Sequence, residues 1–218
     1  MKAFPEDLLQ RLQQSRVVAG FSVDRAEDAV PVAEALLAGG IDAIELTLRT
    51  EAGIEAIRHV HENVPGMLAG VGTILRPDQA IAVKEAGADF GVSPGLNPRV
   101  IQAAQVAGLP FAPGIVTPTD LEAAIESGCR LVKFFPAESS GGLAYLKSMA
   151  APYKHLGIRY FPLGGINAGN MMDYLNEDII AAVGGSWIVK KELVDAGDWA
   201  GITARATEVR RILEHSTD

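Results

Sequence analysis

Short runs of β-branched and apolar residues, each followed by a longer alanine-rich stretch, recur eight times along this chain. No other feature limits the possible folds as tightly. The strand candidates are 16–23, 41–46, 67–71, 89–92, 110–112, 130–134, 159–162 and 179–183, spaced 20 to 30 residues apart. Helical periodicity fills the intervals. Within 26–38, for example, apolar residues fall at Ala29, Val32, Ala33, Leu36 and Leu37. The stretches 77–86 and 118–126 open on proline, which is pre-set for a first helical turn. Glycine follows the helical stretches at Gly39-Gly40, Gly87, Gly108 and Gly128. Strands alternating with helices predict parallel strands joined by right-handed crossovers. Eight such units predict an α/β fold of the (β/α)8 TIM-barrel type. The rival is an open doubly wound sheet, which usually carries a glycine-rich loop after its first strand. Here Val23-Asp24-Arg25-Ala26 stands in that place. No linker divides the 218 residues, so 1–218 reads as one domain. Residues 1–15 (with Leu8, Leu9 and Leu12) read as an extra amphipathic N-terminal helix outside the repeats, suited to covering the barrel bottom.

Charge and cysteine content narrow the function classes. With 19 Lys and Arg against 27 Asp and Glu, the net charge is −8, and no basic run exceeds two residues. Neither nucleic acid nor an anionic membrane is an expected partner. An anionic substrate would have to be held by local groups against the global field. Cys129 is the single cysteine, so no intrachain disulfide exists, in keeping with a reducing cytoplasm. The start, Met1-Lys2-Ala3-Phe4-Pro5-Glu6-Asp7, lacks the apolar segment of a signal peptide. The near-apolar stretch 179–189 is too short to span a bilayer.

In a barrel, chemistry gathers at the carboxyl ends of the strands. Polar residues where a strand run stops are therefore the candidates. Lys133 is the sharpest: of seven lysines it alone lies inside a strand run, between Val132 and Phe134-Phe135. Burial disfavours an ammonium, and a neutral amine in an apolar pocket is what a Schiff-base nucleophile requires. The competing reading is an outward-facing lysine that snorkels past a helix. Glu45 closes the run Ile41-Asp42-Ala43-Ile44-Glu45, where desolvation suits a general acid or base. Arg49, four residues on, can fork onto a carboxylate or phosphate, or form a purely structural pair with Glu45. Thr73, after Gly70-Val71-Gly72, offers a hydroxyl or merely caps a turn. Ser93, ahead of Pro94-Gly95, is equally a ligand contact or a turn residue. Gly164-Gly165 and Gly184-Gly185-Ser186 read as two tight turns after the seventh and eighth strands, where many barrels bind phosphate through backbone N–H groups.

Other chemistries find little support. His59, His61, His155 and His215 avoid the strand ends, so no metal site is expected. Cys129 precedes its strand and reads as a small core residue. Neither a serine-hydrolase elbow nor a phosphate-binding P-loop is present.

Taken together, Glu45-Leu46-Thr47-Leu48-Arg49-Thr50, Gly70-Val71-Gly72-Thr73, Ser93-Pro94-Gly95, Lys133-Phe134-Phe135-Pro136-Ala137-Glu138, Gly164-Gly165-Ile166 and Gly184-Gly185-Ser186-Trp187 closely resemble the class I 2-keto-3-deoxy-6-phosphogluconate (KDPG) and 4-hydroxy-2-oxoglutarate (KHG) aldolases. The resemblance spans most of the chain. It implies a (β/α)8 barrel, assembled as a homotrimer and needing neither metal nor cofactor. It implies that Lys133 forms the Schiff base and Glu45 is the acid and base. Arg49 and Thr73 would hold the pyruvate carboxylate, and Gly164, Gly165, Gly185 and Ser186 the distal phosphate. Ser93, Pro94 and Phe135 would complete the substrate-binding set. The partner implied is a 2-keto acid, phosphorylated or not. One departure stands out. Family members usually carry a Val-Val-Pro-Val-type first strand, where this chain has Val17-Val18-Ala19-Gly20-Phe21.

Three alternatives stay open: an epimerase or isomerase of sugar phosphates, a barrel that only binds a phosphorylated ligand, and an aldolase for the galactonate epimer or for unphosphorylated substrate. The first two have no use for a buried strand lysine.

Overall fold

Nine strands and ten α-helices alternate in the computed structural model, which describes residues 4–215. The order is α1 (Glu6–Ser15), β1 (Val17–Phe21), α2 (Ala29–Ala38), β2 (Ala43–Thr47), α3 (Gly53–Asn63), β3 (Leu68–Gly72), α4 (Pro77–Glu85), β4 (Phe90–Val92) and α5 (Pro98–Ala107). It continues with β5 (Phe111–Ala112), β6 (Gly114–Ile115), α6 (Pro118–Glu126), β7 (Leu131–Phe134), α7 (Gly142–Ala150), β8 (Arg159–Pro162), α8 (Met171–Leu175), β9 (Val183–Gly185), α9 (Lys191–Asp195) and α10 (Trp199–His215). The expected N-terminal helix begins at Glu6, and positions 1–3 of that reading lie outside the described residues.

All strand pairs are parallel. One sheet has the order β5-β4-β3-β2-β1-β9 and a second the order β6-β7-β8. The steady progression, with the last strand beside the first, differs from a doubly wound sheet, whose order reverses partway. Pro113 separates β5 from β6: a proline has no N–H for the ladder, so the single expected fifth strand is two short ones. Isolated parallel bridges, Tyr160 to Ile180 and Leu163 to Gly184, join β8 and the residue after it to β9 and the segment before it.

The eighth expected strand sits later than its apolar run suggests. Ile180 makes only a bridge, and the paired strand is Val183–Gly185. Gly184 and Gly185 are thus strand residues, not the tight turn expected, and the chain turns only at Ser186. Their missing side chains serve close packing instead. A Cβ on Gly184 would meet Leu163, and one on Gly185 would meet the Trp187 ring at 2.6 Å.

Alternation along each strand divides the core in two. Val17, Ala19, Ile44, Leu46, Val132 and Phe134 pack outward with the helices. Val18, Ala43, Leu68, Phe90, Ala112, Leu131 and Phe161 pack together on the inner side. Leu12, with Leu8 and Leu9 of α1, packs against that inner cluster. Being covered on both faces, the strands are apolar almost throughout, as parallel strands generally are. The exceptions define the site.

Candidate active site

The period of two that puts Ala43 and Leu131 inside also puts Glu45 and Lys133 inside, one pleat further along β2 and β7. Among the described residues only Ser15, Glu45, Thr47, Ser93 and Lys133 are buried polar or charged side chains. Glu45 is 2% exposed and Lys133 5%. Removing two charges from water is costly unless they meet each other. They do: Lys133 Nζ donates to Glu45 Oε1 at 2.7 Å. The ammonium also stands over the Phe135 ring, 5.3 Å from its centroid. Glu45 thus pairs with Lys133 rather than with Arg49, which is exposed at the rim and makes no ion pair among the described residues.

Space for this pair is made by glycine. In register with Glu45 stand Gly20 on β1, where a Cβ would touch the carboxylate at ordinary contact distance, and Gly70 on β3, whose missing side chain makes room for the Phe90 ring instead. Gly72 lies directly against the carboxylate, and a Cβ there would come within 1.9 Å of Glu45 Oε1. Any side chain at Gly72 would displace the carboxylate. Thr47, one pleat above Glu45, donates its hydroxyl to the Phe21 carbonyl at 3.2 Å and ties the ends of β1 and β2 together.

The pair lines a cavity of about 770 Å³. Around it stand Arg49, Phe135, Gly164, Gly165, Gly185 and Ser186, all expected from sequence. Thr73, Ser93 and Pro94 are not among the lining residues. Thr73 adjoins Gly72 and holds φ at 61°, a strained conformation for a β-branched residue. The Ser93 hydroxyl donates to the Gly95 carbonyl at 2.7 Å, a turn role. Pro94 packs its backbone against Gly114.

Several lining residues lie outside the sequence-derived set. Gly20 and Phe21, the first-strand departure, are among the lining residues, as are Trp187, Lys190 and Lys191. Lys191 is bound by Asp24 at 2.6 Å and Asp195 at 2.9 Å, which push its pKa up. Nothing in a local pattern marks Lys190 and Lys191, because the start of α9 reaches the mouth only through the tertiary path of the chain. Cys129 is buried, and desolvation pushes its thiol up to about 11, which fits a core role.

The turn after β8 has an anion-binding form. Gly164 and Gly165 hold φ at 93° and 87°, which only glycine adopts freely. Among the described residues, the N–H groups of Gly165, Ile166 and Ser186 have no hydrogen-bond acceptor. Unpaired N–H groups around a concavity attract anions.

A family model described as KDPG and KHG aldolase matches residues 8–205. The chain belongs to the KDPG and KHG aldolase family. A relative from Haemophilus influenzae, named 2-dehydro-3-deoxy-phosphogluconate aldolase, is 39% identical over 209 residues, covering 96% of this chain and 98% of the relative. The Legionella pneumophila KDPG aldolase structure, described as holding pyruvate as a covalent carbinolamine intermediate, superposes with a TM-score of 0.87. It is 36% identical, with 93% of this chain and 97% of that one covered. A Zymomonas mobilis KDPG aldolase structure with 3-phosphoglycerate gives a TM-score of 0.84 at 38% identity, covering 92% and 94%. This aldolase family member therefore shares its α/β architecture with them along most of its length.

Proposed function

We propose that this protein is a class I aldolase that cleaves 2-keto-3-deoxy-6-phosphogluconate to pyruvate and glyceraldehyde 3-phosphate, with 4-hydroxy-2-oxoglutarate as an unphosphorylated substrate of the same site. The observation that carries this reading is the buried Lys133–Glu45 pair, 2.7 Å apart in a cavity ringed by unpaired backbone N–H groups and Arg49. A sugar-phosphate epimerase or a passive binding barrel would have no need of that lysine. The two ladders work as one closed (β/α)8 barrel of a single domain, supported by the two bridges at β8 and by β9 beside β1.

Lys133 must lose a proton before it can attack, and Glu45 is in place to accept it. The free amine adds to the C2 ketone, giving a carbinolamine. Glu45 returns the proton to the C2 hydroxyl, water leaves, and a cationic imine forms. The carboxylate then takes the C4 hydroxyl proton. As the C3–C4 bond breaks, its electron pair moves to the imine nitrogen, leaving an enamine and releasing the aldehyde. Glu45 protonates C3, and water hydrolyses the resulting pyruvyl imine to free lysine and pyruvate. The covalent sink replaces one difficult carbanion step with easier ones.

Arg49, on the cavity lining, holds the pyruvate carboxylate by forking onto its two oxygens. The phosphate sits at Gly164-Gly165 and Gly185-Ser186, where its binding orients the reacting carbons. Phe135 walls the imine. Chains associate as a homotrimer in the cytoplasm. Leu75 just before α4 and Ile81 within it, 52% and 43% exposed, supply apolar contact surface for the trimer. No helix among the described residues is long and apolar enough to cross a membrane.

Intact-mass spectrometry after treatment with pyruvate and borohydride tests the mechanism. One reduced pyruvyl adduct, mapped to Lys133, is expected. A folded protein that takes up no adduct would overturn it.

A further inference from the structure

The carbonyls of the Gly164-Gly165 turn are tied down as consistently as its N–H groups are left open. The Gly164 carbonyl accepts from Glu138 N–H at 3.0 Å. Gly165's accepts from two side chains, Asn167 Nδ2 at 3.2 Å and Asn170 Nδ2 at 3.1 Å. The asparagines are themselves fixed. Asn170 Oδ1 accepts from Asn167 N–H at 2.8 Å, and Asn167 Oδ1 accepts from Gly169 N–H at 2.8 Å. Neither asparagine lines the cavity, whereas Gly165 and Ile166 both do. In a trans peptide the carbonyl and the following N–H point in opposite directions. Holding the Gly165 carbonyl on the asparagine side therefore turns the Ile166 N–H to the cavity side.

We propose that Asn167 and Asn170 are positioning residues for the distal anion: by clamping the Gly165 carbonyl they aim the Ile166 N–H at a bound phosphate. This rests on the reading that the phosphate binds at that turn. A two-glycine turn is otherwise soft, since both residues sample both signs of φ at little cost. A preorganised donor avoids the ordering cost that a free turn would meet on each binding event. Beneath the turn, Glu138 fills the space that a Gly165 side chain would need, with its carboxylate held by the Tyr174 hydroxyl. The clamp and this floor fix the peptide from two sides.

The test compares a phosphorylated substrate (2-keto-3-deoxy-6-phosphogluconate) with an unphosphorylated one (4-hydroxy-2-oxoglutarate) in three variants. For N167A/N170A, KM for the phosphorylated substrate should rise about tenfold, with kcat and the KM of the unphosphorylated substrate changing less than about twofold. Asn167→Ala alone, which leaves the Asn170 bond, should show a smaller rise in the same direction and serves if the double variant does not fold. Inorganic phosphate, as a competitive inhibitor of the unphosphorylated reaction, should weaken in parallel. Equal losses on both substrates would mean a merely structural role and overturn the proposal, as would no change on either. Ser186→Ala separates the two levels. If it raises KM for the phosphorylated substrate alone while the asparagine variants do not, only the clamp is wrong. If neither discriminates, the phosphate reading fails and the clamp falls with it.

Discussion

A lysine inside a strand run is rare enough to single out Lys133 without a structure. The carboxylate that neutralises it is 88 residues away, and no local pattern joins them. That contact changes what substitutions should do. Lys133→Met should abolish turnover and, by stranding the Glu45 carboxylate in the interior, destabilise the fold by about 3–5 kcal/mol. Adding Glu45→Gln to it should restore part of that stability without restoring activity, read by urea unfolding of the single and double variants. An additive double variant would mean that the two charges are not coupled. Glu45→Gln alone should cut kcat by roughly 10²- to 10⁴-fold, in line with loss of a general acid and base. Arg49 and Ser186 were legible because each follows a strand end. Lys190 and Lys191 were not, because their place at the mouth depends on how α9 folds back.

Among the elements, helix starts were the most legible, since capping is a short-range affair. Thr117-Pro118 opens α6 as the proline suggested, and Asp120 completes a capping box. The Asp120 carboxylate accepts from Thr117 N–H at 2.9 Å and Val116 N–H at 3.1 Å. Its partial burial alone would raise its pKa. The hydrogen bonds from Thr117 and Val116 outweigh that and hold it below the usual carboxylate value. A depressed folded pKa contributes stability above the unfolded value of about 4 and loses it as pH falls through the folded value. Asp120→Ala should therefore cost about 1 kcal/mol near neutral pH, with the gap to the parent narrowing below about pH 4. Thermal melts across that range check it, and a constant gap down to pH 3 would count against the electrostatic account. Strand bounds were harder to read. The run 179–183 is apolar enough for a strand, yet only Val183–Gly185 pairs with β1. Pairing depends on where the neighbouring strand lies, and glycine weakens the periodic signal where the ladder runs.

For the molecule as a whole, the proposed association of chains is furthest from any single pattern. Leu75, two residues before α4, and Ile81 within it are exposed. Sedimentation should give three times the 23.0 kDa chain mass. Leu75→Glu should shift it to a smaller species, and a parent protein already monomeric at micromolar concentration would refute the trimer. By itself the sequence determined the alternating α/β plan, the helix starts and the strand-end residues. These follow from periodicity and capping, which act over a few residues. Only the tertiary structure decided that Glu45 meets Lys133, that Gly72 leaves room for the carboxylate, and that the Gly165 carbonyl is held by Asn167 and Asn170. Each is a matter of ångström-scale approach between groups brought together by packing, and packing depends on the whole chain at once.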